Sequence, residues 1–189
     1  MAVIGTAGRR DDRSRMNKNI WLRMRDHLYL VLDEQKPNTL VSGGAPWADH
    51  LAVVAFLQGR VKNLHLELPS PFINGKFVSK DWNSPGGTLN YYHKRMGYEV
   101  PGSLIEIQSA IDRGARVTVS PGFKARNTQV ATKSADYLLA FTWGARSCLA
   151  RSSDQAWSNA LDAGLKQVVH HKPGICLKQQ KRNTLTYGT

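Results

Sequence analysis

Val41-Ser42-Gly43-Gly44-Ala45-Pro46-Trp47-Ala48-Asp49-His50 is the stretch on which the fold turns. Thr39-Leu40-Val41 leads into it and reads as a short buried strand. Ala48, Leu51, Ala52, Ala55 and Phe56 follow at i, i+3, i+4, i+7 and i+8, the spacing of an apolar helix face. Two glycines therefore sit where a strand turns into a helix. Such a turn aims backbone N–H groups and the positive end of a helix dipole into one crevice. Glycine lets the backbone approach a ligand because no Cβ intervenes. In open α/β sheets that crevice, at the carboxyl ends of the strands, is where ligands bind. The alternative is a plain strand-to-helix turn with glycines for tightness.

Upstream, Ala2-Val3-Ile4-Gly5-Thr6 reads as a first strand running into Ala7-Gly8-Arg9-Arg10. Gly5 and Gly8 would allow close approach, and Arg9 or Arg10 could meet a phosphate bidentately. Otherwise the arginines are a surface pair beside Asp11 and Asp12. Met16, Ile20, Met24, Leu28 and Val31 predict an amphipathic helix over about 14–35, ended by Pro37-Asn38. Downstream, the second helix closes near Gly59, and Leu64-His65-Leu66-Glu67-Leu68 reads as a third strand before Pro69-Ser70-Pro71. A β-α-β-α-β pattern with short turns predicts a parallel sheet whose right-handed crossovers lay helices on its faces.

From 69 to 103 the regularity breaks. Prolines and glycines accumulate, and Phe72, Phe77, Trp82, Tyr91, Tyr92 and Tyr98 interleave with them. This reads as a long insertion with one short helix around Leu89–Met96. Its aromatics either stack on a base or form a small satellite core. Beyond it, Leu104, Ile107 and Ile111 mark a helix closed by Gly114, and Ala115–Val119 an extended segment. Lys124–Ala131 reads as a helix entry carrying cations, and Ala135–Phe141 as the clearest strand, followed by Thr142-Trp143-Gly144. Ser152-Ser153-Asp154 caps a further helix ending at Gly164, and Lys166–His170 reads as the last strand.

The chain has 189 residues, enough for one domain with a sizeable core, and carries a formal net charge of +12. That charge favours anionic partners. Part of it lies in a basic C-terminal tail, 173–189, read either as a solvated end or as a nucleic-acid contact. No stretch approaches the roughly 20 apolar residues of a membrane span. The first residues lack the pattern of a signal peptide. Cys148 and Cys176 match no zinc or redox spacing, and the six histidines form no metal-ligand spacing. The expectation is a cytoplasmic protein without a metal or membrane association, and with a homo-oligomer left open.

Three segments together resemble the SLOG superfamily, a Rossmann-like group with DprA-type DNA-processing proteins and LOG-type cytokinin-releasing enzymes. VIGTAGR at 3–9 opens the sheet, and SGGAPWADHLA at 42–52 is similar to the Gly-Gly-Ala-x-Gly-Ala-Asp-x-x-Ala signature. ARNTQVATKSADYLLAFTWG at 125–144 is similar to the pattern of Arg-Asn, a helix, Asp-x-Leu-Leu-Ala-Phe and a glycine. The nearest branch is the YspA/YpsA-related one. The resemblance covers about 1–68 and 104–170 and leaves the insertion outside. Pro46-Trp47 stands where the signature has a variable residue and a glycine. Ser152-Ser153 replaces the usual Gly-Thr before the last helix. Ser84-Pro85-Gly86-Gly87-Thr88 echoes the LOG-type Pro-Gly-Gly-x-Gly-Thr-x-x-Glu motif without its glutamate.

The resemblance implies an α/β, Rossmann-like three-layer sandwich over 1–172, with a mostly parallel central sheet and helices on both faces. It implies a nucleotide or nucleotide-derived ligand at the carboxyl edge, with no further cofactor called for. Gly5, Thr6, Arg9, Gly43, Gly44, Asp49, Arg126, Asn127, Gly144 and Ser153 are the candidate ligand-binding residues. Asp49 is expected either to bond a ribose hydroxyl or to order the turn. A sensor or sequestering module needs no more than these. An enzyme cleaving an N-glycosidic bond, phosphoribohydrolase or deoxyribosyltransferase-like, would also need carboxylates, for which Asp49 and Asp154 are the candidates. A third reading is a DprA-like DNA-binding protein using the basic surface.

Overall fold

The structure, a computed structural model, describes residues 1–133, 137–141 and 167–171. Six strands form one all-parallel sheet: β1 (Ala2–Gly5), β2 (Thr39–Ser42), β3 (Asn63–Leu68), β6 (Arg116–Val119), β7 (Tyr137–Phe141) and β8 (Gln167–His171). Their spatial order is β6-β3-β2-β1-β7-β8. The chain moves outward from β1 to β6, then returns to lay β7 against the other side of β1. The switch point is therefore between β1 and β7, whose registers pair Ala2 with Leu138 and Gly5 with Phe141.

The first crossovers all run in one direction, so handedness puts their helices on one face. These are α1 (Lys18–Gln35), α2 (His50–Leu57), α3 (Pro85–Met96) and α4 (Ser103–Asp112). The return crossover, α5 (Gly122–Lys133), lies on the other. The result is the expected Rossmann-like three-layer sandwich. Side chains alternate accordingly. Val3, Leu40, Leu64, Leu66, Leu68, Leu139 and Phe141 join the core under α1–α4. Ala2, Ile4, Val41, Leu138 and Ala140 pack with Val130 and Ala131 of α5.

Local chemistry sets the helix ends. The side chain of Asn17 accepts the Ile20 amide at 3.0 Å, so α1 begins at Lys18, later than the expected 14; residues Arg10–Ser14 form a 3-10 turn instead. α2 is buried on nearly all sides, as a helix apolar all round must be. Trp47 has a non-helical φ of 65° and the Ala48 amide goes to the Thr6 carbonyl, so α2 starts only at His50.

The insertion is more ordered than its composition suggests. Asn74-Gly75, both at positive φ (52° and 77°), turn a hairpin between β4 (Phe72–Ile73) and β5 (Lys76–Phe77). Helix α3 starts at Pro85, four residues before the expected 89. Ser84 accepts the Gly87 amide at 3.2 Å and Pro85 takes the first helical position. The stretch that echoed the LOG-type motif is thus a helix cap and first turn. Its glycines are steric: a Cβ at Gly86 would lie 1.9 Å from the Val78 carbonyl, and one at Gly87 2.1 Å from that of Asp81. The aromatics divide. Phe77 is in the main core, whereas Trp82, Tyr91 and Tyr98 are exposed.

Candidate functional site

The two glycine turns, after β1 and β2, meet at the carboxyl edge beside the switch point. Gly5 lies flat against β7, where a Cβ would come 2.2 Å from the Phe141 carbonyl, at φ 153°. The Thr6 amide donates to that same carbonyl at 2.9 Å, and the Thr6 carbonyl accepts the Ala48 amide at 3.3 Å. Thr6 Oγ1 donates to Asp12 Oδ2 at 2.6 Å and accepts the Gly8 amide at 3.1 Å. The first turn is thereby tied internally and to the second.

Gly43 and Gly44 do different work. Over Gly43 passes the Arg126 guanidinium from α5; a Cβ there would be 1.6 Å from Arg126 Nη1 and 2.8 Å from Asp49 Oδ2. Arg126 Nη1 donates to Asp49 Oδ2 at 3.0 Å, and both residues are more than nine-tenths buried. Burial pushes the Asp49 carboxyl up from its ordinary range, while Arg126 and the amides of Ala45 and Gly5 pull the other way. Asp49 is thereby tied to Arg126 and to one amide of each turn. Ser42 Oγ completes the knot, donating to the Asp49 carbonyl at 2.7 Å and accepting the Gly44 amide at 3.3 Å.

Gly44, at φ 66°, faces the insertion. A Cβ on it would be 2.5 Å from Leu68 Cδ2. Its carbonyl accepts from His93 Nε2 at 3.0 Å, and His93 Nδ1 lies 2.9 Å from Ser103 Oγ. A carbonyl only accepts, so the neutral ring carries its proton on Nε2 and Nδ1 accepts from the serine. Burial, then the neighbouring His50, lowers the His93 pKa to about 3. No sequence signal marks this histidine: a lone His on the buried face of an insertion helix looks like any other core residue.

Trp47 is the departure from the glycine-bearing signature, and it keeps the glycine geometry. Its φ is 65°. Its indole is buried against Gly8, where a Cβ would lie 2.6 Å from Nε1. The Trp47 amide donates to Met96 Sδ at 3.1 Å, which ties the turn to the end of α3.

Arg9 leaves the first turn toward two rings. Its guanidinium carbon is 5.2 Å from the Tyr92 ring centroid on α3 and 4.8 Å from that of Phe123 on α5. Arg126 approaches Phe123 as well, at 5.8 Å. Asn127 is buried beside Arg126 on α5. The structure thus brings Gly5, Thr6, Gly43, Asp49 and Arg126 into one knot, with Arg9 at its rim and Gly44 turned toward the insertion. Tyr92 is one of the insertion aromatics that the sequence offers for stacking on a base, whereas Phe123 carries no sequence signal. Gly144, Ser153 and Asp154 lie outside the described residues.

A cavity of about 500 Å3 lies between α3 and α4, lined by Lys76, Asn90, His93, Lys94 and Ser103 among others. Another, of about 560 Å3, is walled by the β4–β5 hairpin and α4. Both belong to the insertion side, and neither is lined by Arg9, Asp49 or Arg126. Among the described residues no cluster of three metal-ligating side chains occurs, and no helix is long and apolar enough to cross a membrane.

The fold and the knotted carboxyl edge define a Rossmann-like α/β protein with an insertion over its second glycine turn. Over 151 residues the chain is 38% identical to uncharacterized protein R261 of Acanthamoeba polyphaga mimivirus, covering 76% of this chain and 81% of that one. The chain belongs to the same family as this viral protein. No family model matches it, and no solved structure does.

Proposed function

We propose that the protein binds a nucleotide or nucleotide-derived ligand at the carboxyl edge of β1, as a sensor or sequestering module. The observation that carries this reading is Arg9. It extends from the turn at the β1–β7 switch point and is held between Tyr92 and Phe123. A guanidinium set there can grip a phosphate bidentately, and the flanking rings offer a face to a base. In the second turn the Ala45 amide is committed to Asp49, that of Gly44 to the Ser42 hydroxyl, that of Trp47 to Met96 Sδ and that of Ala48 to the Thr6 carbonyl, so the ligand's phosphate belongs at the Arg9 side.

The same commitment disfavours Asp49 as a catalytic group. Its carboxylate is held by Arg126 and two amides and is 3% exposed, which suits ordering the turn rather than attacking a sugar. The resemblance to the SLOG superfamily supports the ligand class and adds no geometry of its own.

Thermal stabilisation against nucleotides, cyclic dinucleotides, NAD and ADP-ribose, with mass spectrometry of each mixture afterwards, tests the reading. A bound ligand raises the midpoint by mass action. The expected result is a rise with one ligand class, recovered intact and lost in Arg9→Ala. Release of free base would put the N-glycosidic enzyme first. No rise with any ligand would overturn the reading.

A further inference from the structure

Helix α3 carries an exposed stripe of rings and cations that the nucleotide site does not use. Trp82, Tyr91 and Tyr98 are 79%, 51% and 73% exposed. They line up. The Trp82 Cα lies against Gly87, 2.9 Å from where its Cβ would be. Tyr91 is one turn beyond Gly87, Lys94 and Arg95 are one turn further, and Tyr98 follows at the next, just past the helix end. From Gly87 to Tyr98 the stripe runs about 16 Å at 1.5 Å per residue.

The cations along it, Lys80, Lys94 and Arg95, outnumber the acids, Asp81 and Glu99. Lys80 and Lys94 are exposed, and the Arg95 guanidinium lies 5.6 Å from the Tyr98 ring centroid. The two neighbouring acids are engaged with backbone amides. Asp81 Oδ1 accepts those of Asn83 and Ser84 at 2.8 and 2.7 Å, and Glu99 Oε2 accepts that of Lys18 at 3.2 Å. The rest of the chain adds to the same sign, at +12 overall.

Large flat rings left in water cost apolar exposure, and a protein surface seldom keeps three in line without a use. Rings interleaved with cations, on a strongly basic chain, match a polyanion that carries its own flat apolar groups. We propose that this face of α3 binds single-stranded nucleic acid, the rings stacking on unpaired bases and Lys94 and Arg95 meeting the phosphates between them. A duplex hides its base faces and would use only the cations. The stripe lies in the insertion, outside the segments that resemble the SLOG superfamily, and the proposal stands apart from the nucleotide site.

Fluorescence anisotropy of a labelled 20-nucleotide oligo-dT with the full chain is the test, read at two salt concentrations and against a duplex of equal length. Stacking on a ring is worth about 1–3 kcal/mol per base, so Trp82→Ala, Tyr91→Ala and Tyr98→Ala should each weaken binding about fivefold or more, with the salt slope unchanged. Tyr91→Phe keeps the ring and should bind as the parent does. Lys94→Gln with Arg95→Gln should flatten the log–log salt slope by about 1.4, at about 0.7 per phosphate contact. All five positions are on the surface, and unchanged thermal midpoints confirm that the variants fold.

Failure of the parent to bind at low salt would overturn the proposal. So would ring variants that bind like the parent, which would move the contact to another basic surface. Equal binding of the duplex, or equal competition by polyglutamate, would reduce the face to an electrostatic one that takes acidic proteins as readily.

Discussion

Arg126 Nη1 meets Asp49 Oδ2 at 3.0 Å directly above the bare Cα of Gly43, and no other residue fits beneath that contact. The pair joins α5 on one face of the sheet to the loop that leads into α2 on the other. Gly43→Ala would drive a methyl into the guanidinium and push it off Asp49. Removing one partner of a buried pair is worse than removing both, since it strands a charge. Arg126→Met should cost about 3–5 kcal/mol in urea unfolding, and Asp49→Asn on that background should restore part of it. Additive losses in the double-mutant cycle would show that the two groups do not depend on each other.

Trp47 sets two effects against each other. Its φ of 65° costs a bulky residue about 1–3 kcal/mol, which a glycine would not incur. Its buried indole contributes about 3–5 kcal/mol against truncation. The packing term is the larger, so Trp47→Gly should destabilise by about 2 kcal/mol in spite of the relieved backbone. A stabilised variant would mean that the ring against Gly8 packs poorly.

His93 should make the fold sensitive to acid. Its pKa falls from 6.5 to about 3 on folding because burial disfavours the charged ring. The unfolded chain then binds more protons between those values, so stability is complete above pH 6.5 and declines as pH falls toward 3. The expected loss from this group near pH 5 is about 2 kcal/mol relative to neutrality. His27 and His65 are also lowered by burial and act in the same direction. His93→Gln separates them: its urea midpoint should vary less with pH than that of the parent. An unchanged pH dependence would assign the effect to the other histidines.

Glu67 is a fully buried carboxylate on β3. Its Oε1 takes Lys133 Nζ at 2.6 Å and His65 Nε2 at 2.9 Å, while Oε2 has no hydrogen-bond partner among the described residues. Lys133→Ala should cost about 3 kcal/mol by leaving that charge poorly matched. Glu67→Leu combined with Lys133→Met should be near neutral, because both charges leave together. Thermal and urea midpoints of the three proteins decide it, and a double variant no better than Lys133→Ala would indicate a need for the carboxylate itself.

Much of this was legible from local pattern. The strand at Thr39–Ser42, the glycine turn and the apolar run after it follow from periodicity, since alternation and helical spacing depend only on near neighbours. The long insertion was legible as irregular, but its hairpin and helix start were signalled by Asn74-Gly75 and Ser84-Pro85, which compositional counting passes over. Asp49, Arg126 and Gly43 were each picked out, yet nothing short of the fold shows that the glycine exists for the other two.

By itself, then, the sequence determined an α/β protein with parallel strands, glycine turns at their ends and a basic character. These are properties of segments a few residues long, governed by backbone sterics and hydrophobic spacing. Only the tertiary structure decided that Asp49 pairs with Arg126, that Gly44 faces His93 and that Arg9 lies between Tyr92 and Phe123. Each of those contacts joins residues far apart in the chain. Their partners are chosen by the order of strands and the hand of the crossovers, which no local pattern encodes.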